Sequence, residues 1–276
     1  MSKFSYIAVG ILLSLALVAP SPAQNFFSPD HSPGVAEFFA DDSISVSRPI
    51  ASEIPDPRAV MPSDVALRTY LEHARHQMAE LGATSDLTIV EAVLPDSSQR
   101  GRFELHRVFS APRSLAFTSV SFVGDTFVKT NIINRFLQSE VEHVEKGNGA
   151  QSAITADNYH FSYKGTDTLN GQTVHVFQVK PRKKRVGLFK GKIYLDAYSG
   201  SLRRSEGTLA KSPSFFVKRI SFTQDYADVT GFSLPVRMHS VAQTRLVGRA
   251  IVDVVHQDYQ ASPIQSSSST QVAAGK

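Results

Sequence analysis

Between Asn158 and Tyr259 one pattern recurs: a short run of apolar and β-branched residues, a turn signal, then another run. "TLNGQTVHVFQVK" holds Asn170-Gly171, a dipeptide that takes positive φ at both positions, as a two-residue hairpin requires. Tyr198-Ser199-Gly200 and Thr230-Gly231 mark two further turns, inside "KGKIYLDAYSGSLRRSEG" and between "SFFVKRISFTQDY" and "GFSLPVRMHSVAQT". "RLVGRAIVDVVHQDY" ends the series. Runs this close together leave no room for crossover helices. Neighbouring strands must therefore be antiparallel, and the product is a long meander.

Three strands precede the meander. They are "SDLTIVEAVLP", "RGRFELHRVFSAP", with Phe103, Leu105 and Phe109 on one face, and "RSLAFTSVSFVG". Two helical segments interrupt this β pattern. "MPSDVALRTYLEHARHQMAELG" places Val65, Leu67, Leu71, Ala74, Met78 and Leu81 near helical spacing, with Ser63 as predicted N-cap and Gly82 as predicted stop. "TNIINRFLQSEVEHVEKG" repeats the spacing at Ile132, Ile133, Phe136, Leu137 and Val141, and Gly147 ends it. Two helices beside an antiparallel sheet give an α+β fold.

The ends of the chain read differently. Lys3, the apolar run Ile7 to Val18 and the small residues of Ser21-Pro22-Ala23 form a secretory signal peptide over residues 1–23. The apolar run is shorter than the ~20 residues a membrane span needs. Residues 24–60 are rich in Pro, Ser and Asp and read as a disordered leader; 261–276 read as a disordered low-complexity tail. This leaves residues 61–260 as a single α+β domain. The chain has no Cys, so it offers no disulfide framework and no lipid-modified Cys at the cleavage site. The expected location is periplasmic or secreted, in soluble form.

One stretch invites a nucleotide or nucleic-acid reading: "KPRKKRVGLFKGKIYLD", Lys180 to Asp196. A phosphate loop needs four residues between its glycines, a Ser or Thr after the Lys, and a following helix. Here three residues separate Gly187 from Gly191, Ile193 follows Lys192, and a strand pattern follows. Nucleic acid is disfavoured by the export signal and by a formal net charge of only +4. The spacing predicts a hairpin whose strands end at Lys180–Pro181 and begin at Lys190–Gly191. Arg182 to Phe189 would form an exposed connection, with Val186, Leu188 and Phe189 folding back on the sheet or inserting into a membrane. Arg182, Lys183, Lys184 and Arg185 would then solvate the tip or contact an anionic surface.

Catalytic signatures are sparse. His73 and His76 share a helical face with Glu72 and Glu80 nearby, yet the pattern is not His-Glu-x-x-His, and a solvated face is the simpler reading. There is no Gly-x-Ser-x-Gly elbow and no Cys nucleophile. No catalytic residue, metal ligand or cofactor is predicted. A His could still meet an acid such as Asp196 or Glu206 once the chain folds, so a secreted hydrolase stays open, as does an envelope sensor or assembly partner.

Phe is abundant, and "TVHVFQV" and "AIVDVV" are apolar on both faces. This suits either a thick core under the helices or a curved sheet whose concave side holds an apolar ligand. The layout, together with the hairpin "YLDAYSGSLRRSEG", resembles the periplasmic lipoprotein-carrier superfamily over Leu67 to Tyr259. That group includes the lipoprotein chaperones of the Lol pathway and related sigma-factor regulators. The resemblance implies an incomplete antiparallel β-barrel with the two helices packed as a lid over its concave face, a cavity for acyl chains and no catalysis. Carriers of this type hold the lid with an Arg on an early strand; Arg102 and Arg107 lie on the second predicted strand, and neither is matched to that role. The cavity is expected to draw on Phe103, Leu105, Leu115, Phe117, Ile193, Leu195, Phe232 and Leu234, with an acyl chain or a lipoprotein as partner. The sequence gives no oligomeric state.

Overall fold

The computed structural model describes residues 59–264 except 214, 216 and 246. The predicted signal peptide over 1–23, residues 24–58 of the predicted leader 24–60 and residues 265–276 of the predicted tail 261–276 lie outside the described residues. Ten strands form a single antiparallel sheet: β1 Leu81–Leu94, β2 Gln99–Ser110, β3 Ser114–Gly124, β4 Tyr159–Leu169, β5 Gln172–Pro181, β6 Phe189–Asp196, β7 Leu202–Leu209, β8 Val217–Val229, β9 Phe232–Thr244 and β10 Arg249–Pro263. Their order is β3-β2-β1-β10-β9-β8-β7-β6-β5-β4. Two meanders, β1 to β3 and β4 to β10, are thus joined through the β1–β10 pair. The sheet curves without closing, because β3 and β4 remain as opposite edges.

That topology dictates where the helices go. The chain leaves β3 at one edge and must reach β4 at the other. It crosses as a turn of α-helix, α2 (Thr126–Val128), a π-helical turn (Lys129–Ile133), α3 (Asn134–Glu145) and the short α4 (Gly149–Ser152). The continuous stretch 126–145 is about 30 Å long at 1.5 Å per residue, against about 43 Å for nine strand spacings laid flat. Curvature shortens the path and gives the sheet a concave side for the helices to fill. Val128, Ile132, Ile133, Phe136 and Leu137 pack there against Val90, Leu94, Phe103, Leu105 and Val254. Gly147, at φ 63°, lets the chain turn after α3, and its N–H closes on Val144 O.

The first helix, α1 (Ser63–Glu80), also lies on the concave side, against β6. Its start and end differ from expectation. Pro62 is the N-cap, Ser63 is already helical and no side chain caps the end. Gly82 does not stop the helix but belongs to β1, where a Cβ would lie 2.5 Å from Pro263 O. Its glycine is needed for the close approach of β10. The buried seam is Ala66 and Tyr70, with Leu67, Leu71 and Ala74 half-buried beside it. The hairpin turns form as predicted, with Asn170-Gly171 and Thr230-Gly231 all at positive φ. The two-sided apolar character of β5 also has a cause: Val174 and Val176 meet Tyr194 and Leu169 in a small cluster apart from the main core. β10 runs to Pro263, paired with Leu81.

Candidate functional site

The connection between β5 and β6 follows the predicted hairpin only in part. Its strands end and restart as expected, but Leu188 and Phe189 are 0% and 1% exposed. Phe189 stacks edge-on against Phe222 at 5.0 Å, and its N–H donates to the Tyr159 hydroxyl at 3.1 Å. Neither residue is available to a membrane. The basic run divides as well. Arg182 Nε donates to Ala156 O at 2.7 Å, and Arg185 Nη2 donates to Asn158 Oδ1 at 2.7 Å. Asn158 is itself buried and donates to Ala150 O and Ala153 O, so the two arginines fasten the loop to the α4 region. Lys183 and Lys184 are exposed.

The predicted cavity residues fall into three groups. Phe103, Leu105, Phe117, Ile193 and Leu195 are brought together in the main core. Leu115 packs with Phe109 and Val144, touching Phe117 at the edge of that core. Phe232 and Leu234 form a separate cluster with Leu81. Concave space lies elsewhere, in a groove of about 120 Å³ beneath the second half of α1. Tyr70, Ala74 and Met78 line it from the helix, and Leu202, Tyr226 and Pro235 from the sheet.

Hydrogen bonds fasten α1 over this groove. At its leading end Met61 N donates to Ala197 O at 2.8 Å, and His175 Nε2 donates to Met61 O at 2.8 Å. The carbonyl can only accept, so this contact places the His175 proton on Nε2 and leaves Nδ1 to accept from Tyr163 OH at 3.2 Å. Tyr70 OH donates to Ile154 O at 3.1 Å. Gln77 exchanges two hydrogen bonds with the Ser233 backbone, at 2.8 and 3.1 Å. Burial pushes the Tyr70 phenol well up from its ordinary value, so it stays a donor.

A second polar assembly lies beneath α3. Asp86 on β1 is 4% exposed and accepts from His256 Nδ1 at 2.8 Å, Thr88 Oγ1 at 2.5 Å and Arg107 Nη1 at 3.2 Å. Burial alone would raise the Asp86 carboxyl. The His256 hydrogen bond, the Arg107 charge and Thr88 outweigh it and hold the group below the usual carboxylate range. Burial lowers His256 in turn, against the pull of Asp86. The two directions describe one state: a neutral His256 donating from Nδ1, an ionised Asp86, and Arg107 as counter-ion. His256 Nε2 is buried without a hydrogen-bond partner among the described residues, beside a void of about 10 Å³. Arg102, the other early-strand arginine, pairs with Glu91 and Glu104. Both of these acids and the arginine are solvent-accessible.

The arrangement bears on hydrolysis. His256 meets an acid and a hydroxyl, but through one ring nitrogen, so it cannot pass a proton from one to the other. His143 Nε2 lies 3.1 Å from Ser152 Oγ, whose hydroxyl also faces the Gly149 and Asn148 carbonyls. Asp196 accepts from the N–H groups of Tyr198 and Ser199 and pairs with Arg203, while Glu206 accepts from Tyr194 OH. Among the described residues no group of three or more His, Cys, Asp or Glu is placed to hold a metal, and no helix is long and apolar enough to cross a membrane.

Residues 150–260 match the model of a family of unknown function, DUF5686. No curated protein matches the chain by sequence. Among solved structures it is similar to a LolA superfamily protein from Nitrosomonas europaea, at 11% identity and TM-score 0.36, over 72% of this chain and 93% of that one. A DUF1329 family protein from Desulfovibrio piger is similar at 7% identity and TM-score 0.39, over 72% of this chain and 92% of that one. The Mycobacterium tuberculosis lipoprotein LppX is similar at 8% identity and TM-score 0.24, over 72% of this chain and 96% of that one. At these values the likeness is one of outline.

Proposed function

We propose that this chain is an exported, non-enzymatic cell-envelope protein that binds an acyl chain, carried by a lipid or a lipoprotein, beneath α1. The observation that carries the reading is the attachment of that helix. α1 covers an apolar groove while burying only two of its 18 residues, Ala66 and Tyr70. Its trailing end runs into β1 with no intervening loop, and its leading end is fastened by hydrogen bonds. The groove, at about 120 Å³, is smaller than the ~300–1,000 Å³ of ordinary ligand pockets. Binding therefore requires the leading end of α1 to lift, with Glu80–Leu81 as the hinge. Of the eight residues expected to line a cavity, Phe103, Leu105, Phe117, Ile193 and Leu195 lie in the main core on which α1 rests, while Leu115, Phe232 and Leu234 lie in the two smaller clusters, and none lines the groove itself.

A cysteine staple tests this. A Cβ on Gly200 would lie 3.1 Å from the Thr69 Cβ, close to the ~3.5–4.5 Å of disulfides. The chain has no other Cys. Thr69→Cys/Gly200→Cys should take up a fluorescent fatty acid when reduced and lose at least about tenfold in affinity when oxidised, with recovery on reduction. Native mass spectrometry of the unmodified protein should show bound lipid. No bound lipid and no uptake by the unmodified protein would overturn the function. Equal uptake by the oxidised and reduced forms would overturn α1 as the cover.

A further inference from the structure

A second cleft, away from α1, has a different chemistry. It has a volume of about 410 Å³, within the range of small-molecule sites. Three separate segments build it: the end of α3 with α4, the β5–β6 connection, and the residues after β7. Each brings a cation: Lys146 from the first, Lys184 and Arg185 from the second, Lys211 from the third. The one acid in the lining, Glu142, pairs with Lys146 at 2.7 Å. Lys184, Arg185 and Lys211 make no ion pair among the described residues.

Asn158 accounts for the position of Arg185, but like charges repel, and Lys184 and Lys211, both exposed, converge beside it. Arg185 adds a second observation. Its guanidinium is anchored by Asn158, yet its Nε–H is buried with no hydrogen-bond partner among the described residues. A buried donor left so is expensive, and an acceptor oxygen arriving from the cleft would satisfy it. Neutral donors stand around the same space, the side chains of Asn148 and Gln151. Three cations and several neutral donors suit a compact dianion with three or more acceptor oxygens, more than a carboxylate with two.

We infer that this cleft binds the phosphate group of a phosphate monoester. It lies apart from the groove beneath α1 and does not depend on the acyl-chain reading. Two sources share this chemistry, a free phosphate monoester and the monoester headgroup of phosphatidic acid. Calorimetric titration with glycerol 3-phosphate tests the first. Flotation with phosphatidic acid vesicles, against phosphatidylcholine vesicles, tests the second. Two double variants remove the same charge from exposed lysines. Lys184→Ser/Lys211→Ser lies in the cleft, and Lys180→Ser/Lys183→Ser lies outside it.

The cleft pair should weaken binding about twenty-fivefold, the product of two cation contacts of roughly fivefold each, and the outside pair less than about twofold. Binding of free glycerol 3-phosphate identifies a soluble ester as sufficient. Binding confined to phosphatidic acid vesicles identifies the lipid headgroup. Either supports the cleft when the two variants differ as stated, and acetate should not compete. Equal losses from both variants would show general surface electrostatics and overturn the site, as would binding to neither probe. Fatty-acid uptake by the cleft variant should be unchanged, which separates this inference from the groove.

Discussion

The two helices that cover the sheet are attached in opposite ways. α3 buries six of its 12 residues, and among them Glu140 approaches Arg107 of the ionic cluster below. α1 buries two of 18 and is fastened through hydrogen bonds at its ends. Burial is non-directional and is lost only when the whole contact opens, whereas a hydrogen bond at the helix rim exchanges for water at a net cost of about 1 kcal/mol. One helix is therefore a fixed part of the core and the other a removable cover. The acyl-chain reading proposed above calls for both: a rigid wall against which a ligand packs, and a part that yields.

The largest expected effect comes from the fixed side. Asp86→Asn removes the carboxylate paired with the largely buried Arg107 and should destabilise the fold by about 3–5 kcal/mol, measured by urea unfolding. The pH dependence follows from the same cluster. The folded values of Asp86 and His256 both lie below their ordinary ones, so the unfolded chain binds more protons at low pH. Stability should fall as the pH drops below about 6.5 through the His256 window and again below about 3.9 through that of Asp86. A chain equally stable at pH 7 and pH 4 would remove the distinction between the two sides.

A smaller effect of opposite sign is expected from Gln224, on β8 between Phe222 and Tyr226. It is 0% exposed, and neither amide atom has a hydrogen-bond partner among the described residues. Gln224→Met keeps the volume and removes two unsatisfied groups, and should raise unfolding stability by about 1–3 kcal/mol. The smallest effect should come from Gln77→Ala, which releases the two bonds to Ser233. Global stability should change by no more than about 2 kcal/mol, while hydrogen exchange of α1 should quicken and that of α3 stay unchanged. If both helices quicken together, they open as one unit and the comparison fails.

The sequence made the strand pattern plain because turn chemistry is local. Asn170-Gly171 and Thr230-Gly231 announce their hairpins without reference to anything distant. The order of the sheet was not legible, because pairing β1 with β10 joins residues more than 150 positions apart, as Thr88 and His256 show. The ionic cluster did leave a trace. Asp86 has the same strand parity as Thr88, Val90 and Ala92, and His256 that of Val252 and Val254, so charged or titratable groups stood at core positions. The groove left none, since Tyr70, Ile154, Leu202 and Tyr226 come from four segments that only packing unites. The division of the basic run between fastened arginines and free lysines was equally invisible, because Asn158 and Ala156 hold them from a distance.

The missing loop between α1 and β1 has a mechanical consequence. Glu80 ends the helix and Leu81 already pairs with Pro263, so the peptide between them is a fulcrum set in the sheet. From there the helix reaches out about 27 Å at 1.5 Å per residue, and a tilt of about 10° carries its tip about 5 Å. The same tilt applies torque to β1, the strand that bears Asp86 and Thr88. A ligand that lifted the arm as proposed would twist the anchorage at the other end, and its occupancy would then be felt beneath α3 through a single strand.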